Sequence, residues 1–533
     1  EDEGGAGGGI GSAIDVPVPT GLRATLRPYQ LDGYRWLALL QSTGLGGVLA
    51  DDMGLGKTLQ VLAVVQRMME GRAAGSEAPA GPADSGGSAA SAVVPEESGP
   101  VLVVAPTSVV GAWVEQSARF CPDMRVRAVT RTRAKRGEDL GAIVAGADVV
   151  VTSYTIVRLE EEFTGVDWSW VVLDEAQFVK NHTAVTYKTV RRLRTPSTLA
   201  ITGTPLENSL MDLWSLLSIT APGLLPGPDR FAKVYRRPVE HGDDDALAAL
   251  RARIRPFLLR RTKEDVAADL PDKSEQILSV ELGDAHRRAY DRRLARERQK
   301  VLGLLEEDSA QARFTALKSL TILRQMALDP VLVEGPRRGG EIGRTGGGRR
   351  RKRTAKVEML LETLRPVVAE GHRALVFSQF TRYLTGVREA LEADGMRTAY
   401  LDGTTANRQE IIDAFRDGRA DVFLISLKAG GFGLTLTEAD YVFLLDPWWN
   451  PQVEEQAVDR THRIGQDKSV MVYRLVSAGT IEEKVMALKE KKAELFDRVV
   501  EGSGDDAAGS DAGAGASRAR LTAQEIRELI GGA

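Results

Sequence analysis

The feature that most constrains this chain is a repeated unit: a short apolar run that ends in polar residues and passes into helix-like sequence. A first block holds such runs at Gly47 to Ala50, Val101 to Ala105, Val149 to Thr152, Val171 to Leu173 and Leu199 to Thr202. A second block holds them at Ala374 to Ser378, Thr398 to Leu401, Val422 to Ser426, Val442 to Asp446 and Val470 to Val476. Runs of this length, rich in Val, Leu and Ile, have the character of strands buried on both faces of a parallel sheet. Their alternation with helical stretches predicts two α/β domains. In such sheets ligands bind beyond the carboxyl ends of the strands. The polar clusters fall there.

Two of those clusters carry chemistry. Asp52-Met53-Gly54-Leu55-Gly56-Lys57-Thr58 follows one predicted strand and opens a predicted helix. Its glycines let backbone N–H groups close around phosphate oxygens at the helix N-terminus. Lys57 is placed to neutralise the β- and γ-phosphates of ATP, and Thr58 to offer its hydroxyl to Mg²⁺. The usual G-x-x-x-x-G-K-T pattern has Gly where this chain has Asp51. About 115 residues further on, Val171-Val172-Leu173 ends in Asp174 and Glu175. Asp174 is placed to hold Mg²⁺ through its water shell and Glu175 to polarise an attacking water. The same pair could instead cap the helix that follows.

Between the blocks, from about residue 223 to 355, the pattern turns helical and charged, with helices predicted at Ala285 to Leu304 and Ala312 to Leu328. Gly71 to Gly99 is rich in Ala, Gly, Ser and Pro and has the composition of a disordered surface insertion. Gly335 to Thr354 holds glycines and the basic run Arg349 to Arg353. That run is read first as a solvated linker, then as a DNA-phosphate contact, and last as a nuclear targeting signal. An acidic, glycine-rich segment spans Glu501 to Ser517, and a short helix is expected at Leu521 to Ile530.

The 533 residues, 43% apolar and 27% charged, suit several globular cores. A net charge of -4 gives no general attraction to nucleic acid, although a local basic groove remains compatible with it. The single cysteine, Cys121, excludes an intrachain disulfide and a cysteine-built metal site. No apolar run is long enough to span a bilayer, and the acidic, glycine-rich opening is no signal peptide, so a cytoplasmic protein is expected. The chain opens on Glu1 rather than Met, which leaves room for further domains before it.

The motifs in their order resemble the superfamily-two helicase-like ATPases of the Swi/Snf (chromatin-remodelling) family, in a bacterial form. The series runs through Leu26-Arg27-Pro28-Tyr29-Gln30, Asp51 to Thr58, Ala105-Pro106-Thr107, Thr152-Ser153-Tyr154, Asp174 to Gln177 and Thr202 to Asn208. It continues through Phe377 to Phe380, Asp402-Gly403, Ser426 to Gly431, Asp446-Pro447-Trp448-Trp449-Asn450-Pro451 and Gln456 to Gln466. The resemblance covers about Leu22 to Lys492.

It implies two RecA-like parallel-sheet lobes, at 22–222 and 356–500, with helical insertions and a basic linker at 223–355. Residues 1–21 and 501–533 are then flanking segments. Lys57, Asp174 and Glu175 form the hydrolytic set in the first lobe. Arg460 and Arg463 match the arginine fingers that reach the γ-phosphate from the second. Gln30, with Arg27 beside it, matches the adenine-reading glutamine; the loop 52–58, Gly433 and Gln456 complete the nucleotide contacts. Gln177, Thr202 and Thr204 match the residues that couple the ATP site to motion.

Pro106, Thr107, Thr152, Ser153, Gln379 and Lys428 match contacts to the DNA backbone, of the sequence-independent kind that small hydroxyl and amide donors make. The alternative for any one of them is an ordinary strand-end turn residue. Trp448 and Trp449 are open between packing and a nucleic-acid contact, and His462 is read as structural or DNA-side. Two departures stand out: Gln177 where many relatives have His, and Thr435 where the family usually has Asn.

The expected function is ATP-driven translocation on double-stranded DNA by a monomer, moving or stripping DNA-bound proteins. Alternatives are an ATPase that remodels transcription complexes or acts on RNA, and a non-enzymatic nucleotide-switched DNA scaffold. The complete carboxylate and arginine sets weigh against the last.

Overall fold

Strands in the middle of each sheet form where the sequence supplies unbroken apolar runs, because both faces of a parallel sheet must be covered. The computed structural model describes residues 16–76, 99–107, 109–203, 210–266, 271, 273–302, 310–335, 353–405, 407–427, 436–448, 451–463, 466–488 and 529. The chain divides into two units, the first ending at Ala268 and the second starting at Asp269.

The first unit carries strands β1 (Gly47–Leu49), β2 (Val101–Ala105), β3 (Val126–Val129), β4 (Val149–Ser153), β5 (Trp170–Leu173), β6 (Thr198–Ile201) and β7 (Leu258–Leu259). Their order in the sheet is β3-β4-β2-β5-β6-β1-β7, and every pairing is parallel. Helices α1 (Pro28–Ser42), α2 (Lys57–Ser76), α3 (Val110–Phe120) and α4 (Tyr154–Leu159) are those that bear on the site. Pro28 opens α1, where its fixed φ and missing N–H are harmless.

The second unit carries β8 (Lys273–Val280), β9 (Ala374–Ser378), β10 (Thr398–Leu401), β11 (Val422–Ser426), β12 (Tyr441–Leu444) and β13 (Val470–Ser477), in the order β10-β11-β9-β12-β13-β8 and again all parallel. Helices α5 (Asp284–Leu302), α6 (Ala310–Leu328), α7 (Ala355–Ala369) and α8 (Pro451–Val458) belong to it. Its sheet is covered on both faces. One core joins Leu360, Leu384, Val387 and Val376; the other joins Phe377, Phe415, Phe423 and Val442. Inside, Lys356 of α7 donates to the carbonyls of Leu445 and Leu475 at 2.7 and 2.9 Å and to Glu482 at 2.5 Å. A buried ammonium is tolerated when paired and hydrogen-bonded in this way.

All ten predicted strands are present, two α/β sheets result, and α5 and α6 match the two helices predicted between the blocks. The strands not anticipated are β3, β7 and β8, and all three lie at sheet edges. β8 is exposed along most of its length, so it carries no apolar run to signal it.

These edges also change the reading of 223–355, which is not wholly helical. β7 pairs with β1 in the first unit, and β8 pairs with β13 in the second across the register Lys273↔Val470 to Val280↔Ser477. The stretch Gly71 to Gly99 begins as the last turns of α2, which runs to Ser76; residues 77–98 lie outside the described ones. Of the basic run, Arg353 is described, and it faces Asp394 at 3.6 Å. The acidic segment 501–517 lies outside the described residues, and so does the expected terminal helix except for Leu529, which is buried with Val301, Leu320 and Ile481.

Candidate functional site

β1 delivers the chain into a loop and α2 receives it at Lys57. Gly54 and Gly56 have φ of 92° and 78°, values that a side chain disfavours. Lys57 Nζ donates to the carbonyl oxygens of Asp51 and Asp52 at 2.6 and 3.0 Å. Burial lowers the affinity of Lys57 for its proton, while the carboxylates of Asp51, Glu175, Asp174 and Asp52 draw it back up. A cation surrounded by acidic groups is thus set at the mouth of a helix N-terminus, where phosphate is favoured.

Gln30 sits directly on this loop. Its Nε2 donates to Leu55 O at 3.1 Å, and its Oε1 accepts from Arg27 N at 3.0 Å. Tyr29 hydroxyl donates to the same Leu55 carbonyl at 3.1 Å. A Cβ at Gly56 would come within 2.5 Å of Gln30 Nε2, so the glycine is also a requirement of this approach. The amide of Gln30 therefore holds the start of α1 to the loop.

Asp51 fills the place where the usual motif has Gly, and it is fully buried. Arg261, just past β7, grips its carboxylate through Nε at 3.0 Å and through Nη2. Sequence reasoning missed Arg261. The available signal was a charge at a glycine position, which must find a counter-ion if buried.

The acidic pair lies at the end of β5. Trp113 Nε1, from α3, donates to Asp174 Oδ2 at 2.7 Å; Glu175 N donates to Oδ1 at 2.9 Å; Tyr154 hydroxyl, from α4, donates to the Asp174 carbonyl at 2.8 Å. Burial, followed by repulsion from Glu175, pushes the Asp174 carboxyl up to about 6. Glu175 is the one non-glycine among the described residues with positive φ, at 48°. Such a conformation costs on the order of 1–3 kcal/mol and is typical of functional turns. Gln177 Nε2 donates to Glu175 Oε2 at 2.9 Å, and Thr202 hydroxyl donates to Gln177 Oε1 at 3.4 Å. An amide thus connects the carboxylate to the end of β6. Met53 of the loop reaches the same strand end, since a Cβ at Gly203 would lie 3.0 Å from its Cγ.

The first unit therefore gathers Gln30, the loop 51–58, Asp174, Glu175, Gln177 and Thr202. Thr204 lies outside the described residues. For Mg²⁺, the oxygen donors Thr58 and Asp174 suit an ion that takes one or two protein ligands and fills the rest of its sphere with phosphate and water. No cluster of three or more His, Cys, Asp or Glu ligands occurs among the described residues.

In the second unit, Arg460 and Arg463 stand in the turn that follows α8. Gln466 pins that turn by donating to Thr437 O, Ala439 O and Thr461 O at 3.1, 2.9 and 3.1 Å. Gln456 is buried on α8, and His462 Nε2 meets the carbonyl of Pro271 at 2.9 Å, a structural position. Trp448 packs beneath the buried Arg324 of α6, whose guanidinium carbon lies 4.9 Å from the ring centre. Gly433, Thr435, Lys428 and Trp449 lie outside the described residues.

The residues expected on DNA separate into two kinds. Thr107 is exposed beside the buried Pro106. Thr152 is fully buried, with its hydroxyl donating to Val129 O at 2.7 Å, and Ser153 caps α4 by accepting from Ile156 N at 3.3 Å. Gln379 Nε2 donates to Asp446 Oδ2 at 2.7 Å. The Thr152 hydroxyl and the Gln379 amide donate within the protein, as strand-end residues do, whereas Ser153 accepts in a bond that does not use its own O–H.

The SNF2-related domain family matches residues 29–332, and the helicase conserved C-terminal domain matches 355–465. The chain belongs to the SNF2-related family. Its two matched segments are the SNF2-related domain and the helicase conserved C-terminal domain, in that order. It is 34% identical over 492 residues to the putative ATP-dependent helicase/translocase YwqA of Bacillus subtilis, covering 91% of this chain and 50% of that protein. It is 33% identical over 500 residues to the probable chromatin-remodeling complex ATPase chain of Oryza sativa subsp. japonica, covering 92% of this chain and 42% of that one. Among solved structures it is similar to the SWI2/SNF2 ATPase core of Sulfolobus solfataricus in complex with dsDNA: 30% identity, TM-score 0.44, 97% of this chain and 99% of that chain. This SNF2-related chain spans about half or less of the curated relatives it matches. Among its described residues no helix is long and apolar enough to cross a membrane.

Proposed function

We propose that the chain couples ATP hydrolysis to movement along double-stranded DNA, and so displaces or remodels proteins bound there. The observation that carries this reading is the continuous connection from Glu175 through Gln177 to Thr202, which joins the hydrolytic carboxylate to a neighbouring strand end. A fixed nucleotide scaffold has no need of such a connection. Lys57 neutralises the β- and γ-phosphates, Glu175 orients and polarises the attacking water, and Asp174 with Thr58 holds Mg²⁺, which offsets phosphate charge when bound. Gln30 contributes to adenine recognition, with Arg27 and the loop 52–56 around it.

Arg460 and Arg463 supply charge that stabilises the transition state of hydrolysis, and Gln456 and Gly433 belong to the nucleotide contacts. The track is held by its phosphate backbone, and Thr107, Pro106 and Lys428 are the leading contacts. Thr152, Ser153 and Gln379 serve mainly by shaping the strand ends that present them. The chain acts as a monomer in the cytoplasm, on nucleoid DNA. Names of relatives as helicase/translocase and chromatin-remodelling ATPases support the motor reading.

The test is ATP turnover with duplex DNA, single-stranded DNA and RNA, alongside displacement of a third strand from a triplex. Stimulation by duplex, with displacement that requires hydrolysable ATP, is the expected result. Preferential stimulation by RNA would transfer the reading to an RNA-directed enzyme, and turnover without displacement would exclude translocation.

A further inference from the structure

The residue with the widest reach around the nucleotide loop is one that no motif led to. Arg261 leaves the edge strand β7 and meets three separate elements. Its Nε and Nη2 grip the Asp51 carboxylate, Nη2 also donates to Gln60 Oε1 of α2 at 2.9 Å, and Nη1 donates to the Tyr29 carbonyl of α1. Its guanidinium carbon also lies 5.3 Å from the Tyr29 ring centre. The backbone around it repeats the grip: Ala50 N donates to Leu259 O at 2.7 Å, Asp52 N donates to Arg261 O at 3.0 Å, and Lys263 N donates to Asp52 Oδ2 at 3.1 Å.

The space for this hub is built in. A Cβ at Gly33 of α1 would stand 1.9 Å from Gln60 Oε1 and 2.6 Å from Arg261 Nη2. The carbonyls of Asp51 and Asp52, whose residues Arg261 and its neighbours fix, are the ones that receive Lys57 Nζ. The loop is thus held from behind by a planar, always-charged fork matched to a carboxylate.

We propose that Arg261, through Asp51, is a positioning residue for the ATP site: it sets the loop that receives the phosphates and fixes where the Lys57 ammonium stands. It touches no reacting atom. The proposal rests on loop 51–58 being the ATP site. Glycine at position 51 would leave the loop without this anchor, so the aspartate and the arginine act as one device.

The full chain carrying Arg261→Lys tests this, because the charge stays and the fork is lost. Turnover as a function of ATP concentration and thermal midpoint are measured together, well below the midpoint. The expected result is a KM for ATP raised about tenfold, with kcat changed by less than about threefold. Gly33→Ala, which alters no charge, is expected to raise KM in the same direction by crowding the hub. Should Arg261→Ala fail to fold, these two variants still decide the matter. Parental KM in both overturns the proposal, as does a fall in kcat alone that follows the loss of thermal midpoint. Lys57→Ala separates the two levels: if it keeps turnover, the site assignment fails; if it is inactive while Arg261→Lys is parental, only the clamp fails.

Discussion

Asp174 and Asp446 occupy matching places in the two sheets. Each lies just beyond the carboxyl end of the fourth strand in its sheet order, β5 and β12. Each is buried, and burial, as the leading cause, pushes each carboxyl up to about 6. Each also has a glutamine close by: Gln177 on Glu175 beside Asp174, and Gln379 on Asp446 itself. The difference lies in the counter-charge. Arg324, equally buried, stands 3.6 Å from Asp446 and packs on Trp448 and Phe380. Asp174 has instead a second carboxylate beside it and the Lys57 ammonium within electrostatic reach. One strand end is a neutralised structural knot. The other keeps two adjacent carboxylates within reach of a cation, the arrangement on which the proposed ATP site rests.

The sharpest break between the two ends is chemical. Glu175→Gln is expected to lower ATP turnover by about 10³-fold while leaving nucleotide binding in place, since only the transition state loses its partner. Steady-state turnover and nucleotide binding measured on one preparation check this, and a loss below tenfold would remove Glu175 from the hydrolytic role. Asp446→Asn should do the reverse. It keeps the side chain's shape and removes a charge that burial disfavours, and is expected to raise stability at pH 7 by about 1–2 kcal/mol. Turnover at 25 °C should stay within about threefold, and denaturant unfolding gives the stability. Comparable losses of turnover in both variants would erase the distinction.

Acidity discriminates less strongly but with a definite sign. A proton taken up by Asp174 at about 6 removes the carboxylate that the site needs. Turnover should therefore fall as pH drops from 7 to 5, to about a tenth of its plateau at the lower end. The pH profile of kcat/KM reads this, and an acid limb near 4 would detach it from Asp174. Stability runs the other way. Both aspartates are raised above the unfolded value of about 4, so their favourable contribution is present below that pH and is lost as pH rises through about 6.

The same contrast explains how much was legible in the sequence. Central strands such as β2 and β11 announce themselves because burial on both faces demands an apolar run. β3, β7 and β8 lie at sheet edges, hold mostly exposed or half-buried positions, and leave no such mark. At the site, Lys57, Asp174 and Glu175 were readable because their chemistry is local to a strand end. Arg261 was not, because its meaning depends on Asp51, 210 positions away along the chain. Thr152 and Gln379 show the same limit: residue type suggested a phosphate contact, while burial and partner choice depend on β3 and Asp446.

The two glutamines give the finest test. Gln177 joins Glu175 to Thr202, so Gln177→Ala should leave the Lys57 and Asp174 contacts intact and sever that connection. Basal turnover is expected to fall by less than about threefold, and the stimulation by duplex DNA to fall further than basal turnover does. Gln379→Ala removes a donor from a buried carboxylate and is expected to cost about 1–2 kcal/mol of stability. Its amide is engaged with Asp446, so the dependence of DNA affinity on salt should keep its slope; a slope reduced by about one would instead make Gln379 a contact tied to phosphate. Measured side by side, the ratio of DNA-stimulated to basal turnover and the unfolding free energy should move in opposite variants. If Gln379→Ala also lowers that ratio, the second strand end is part of the coupling and not only its support.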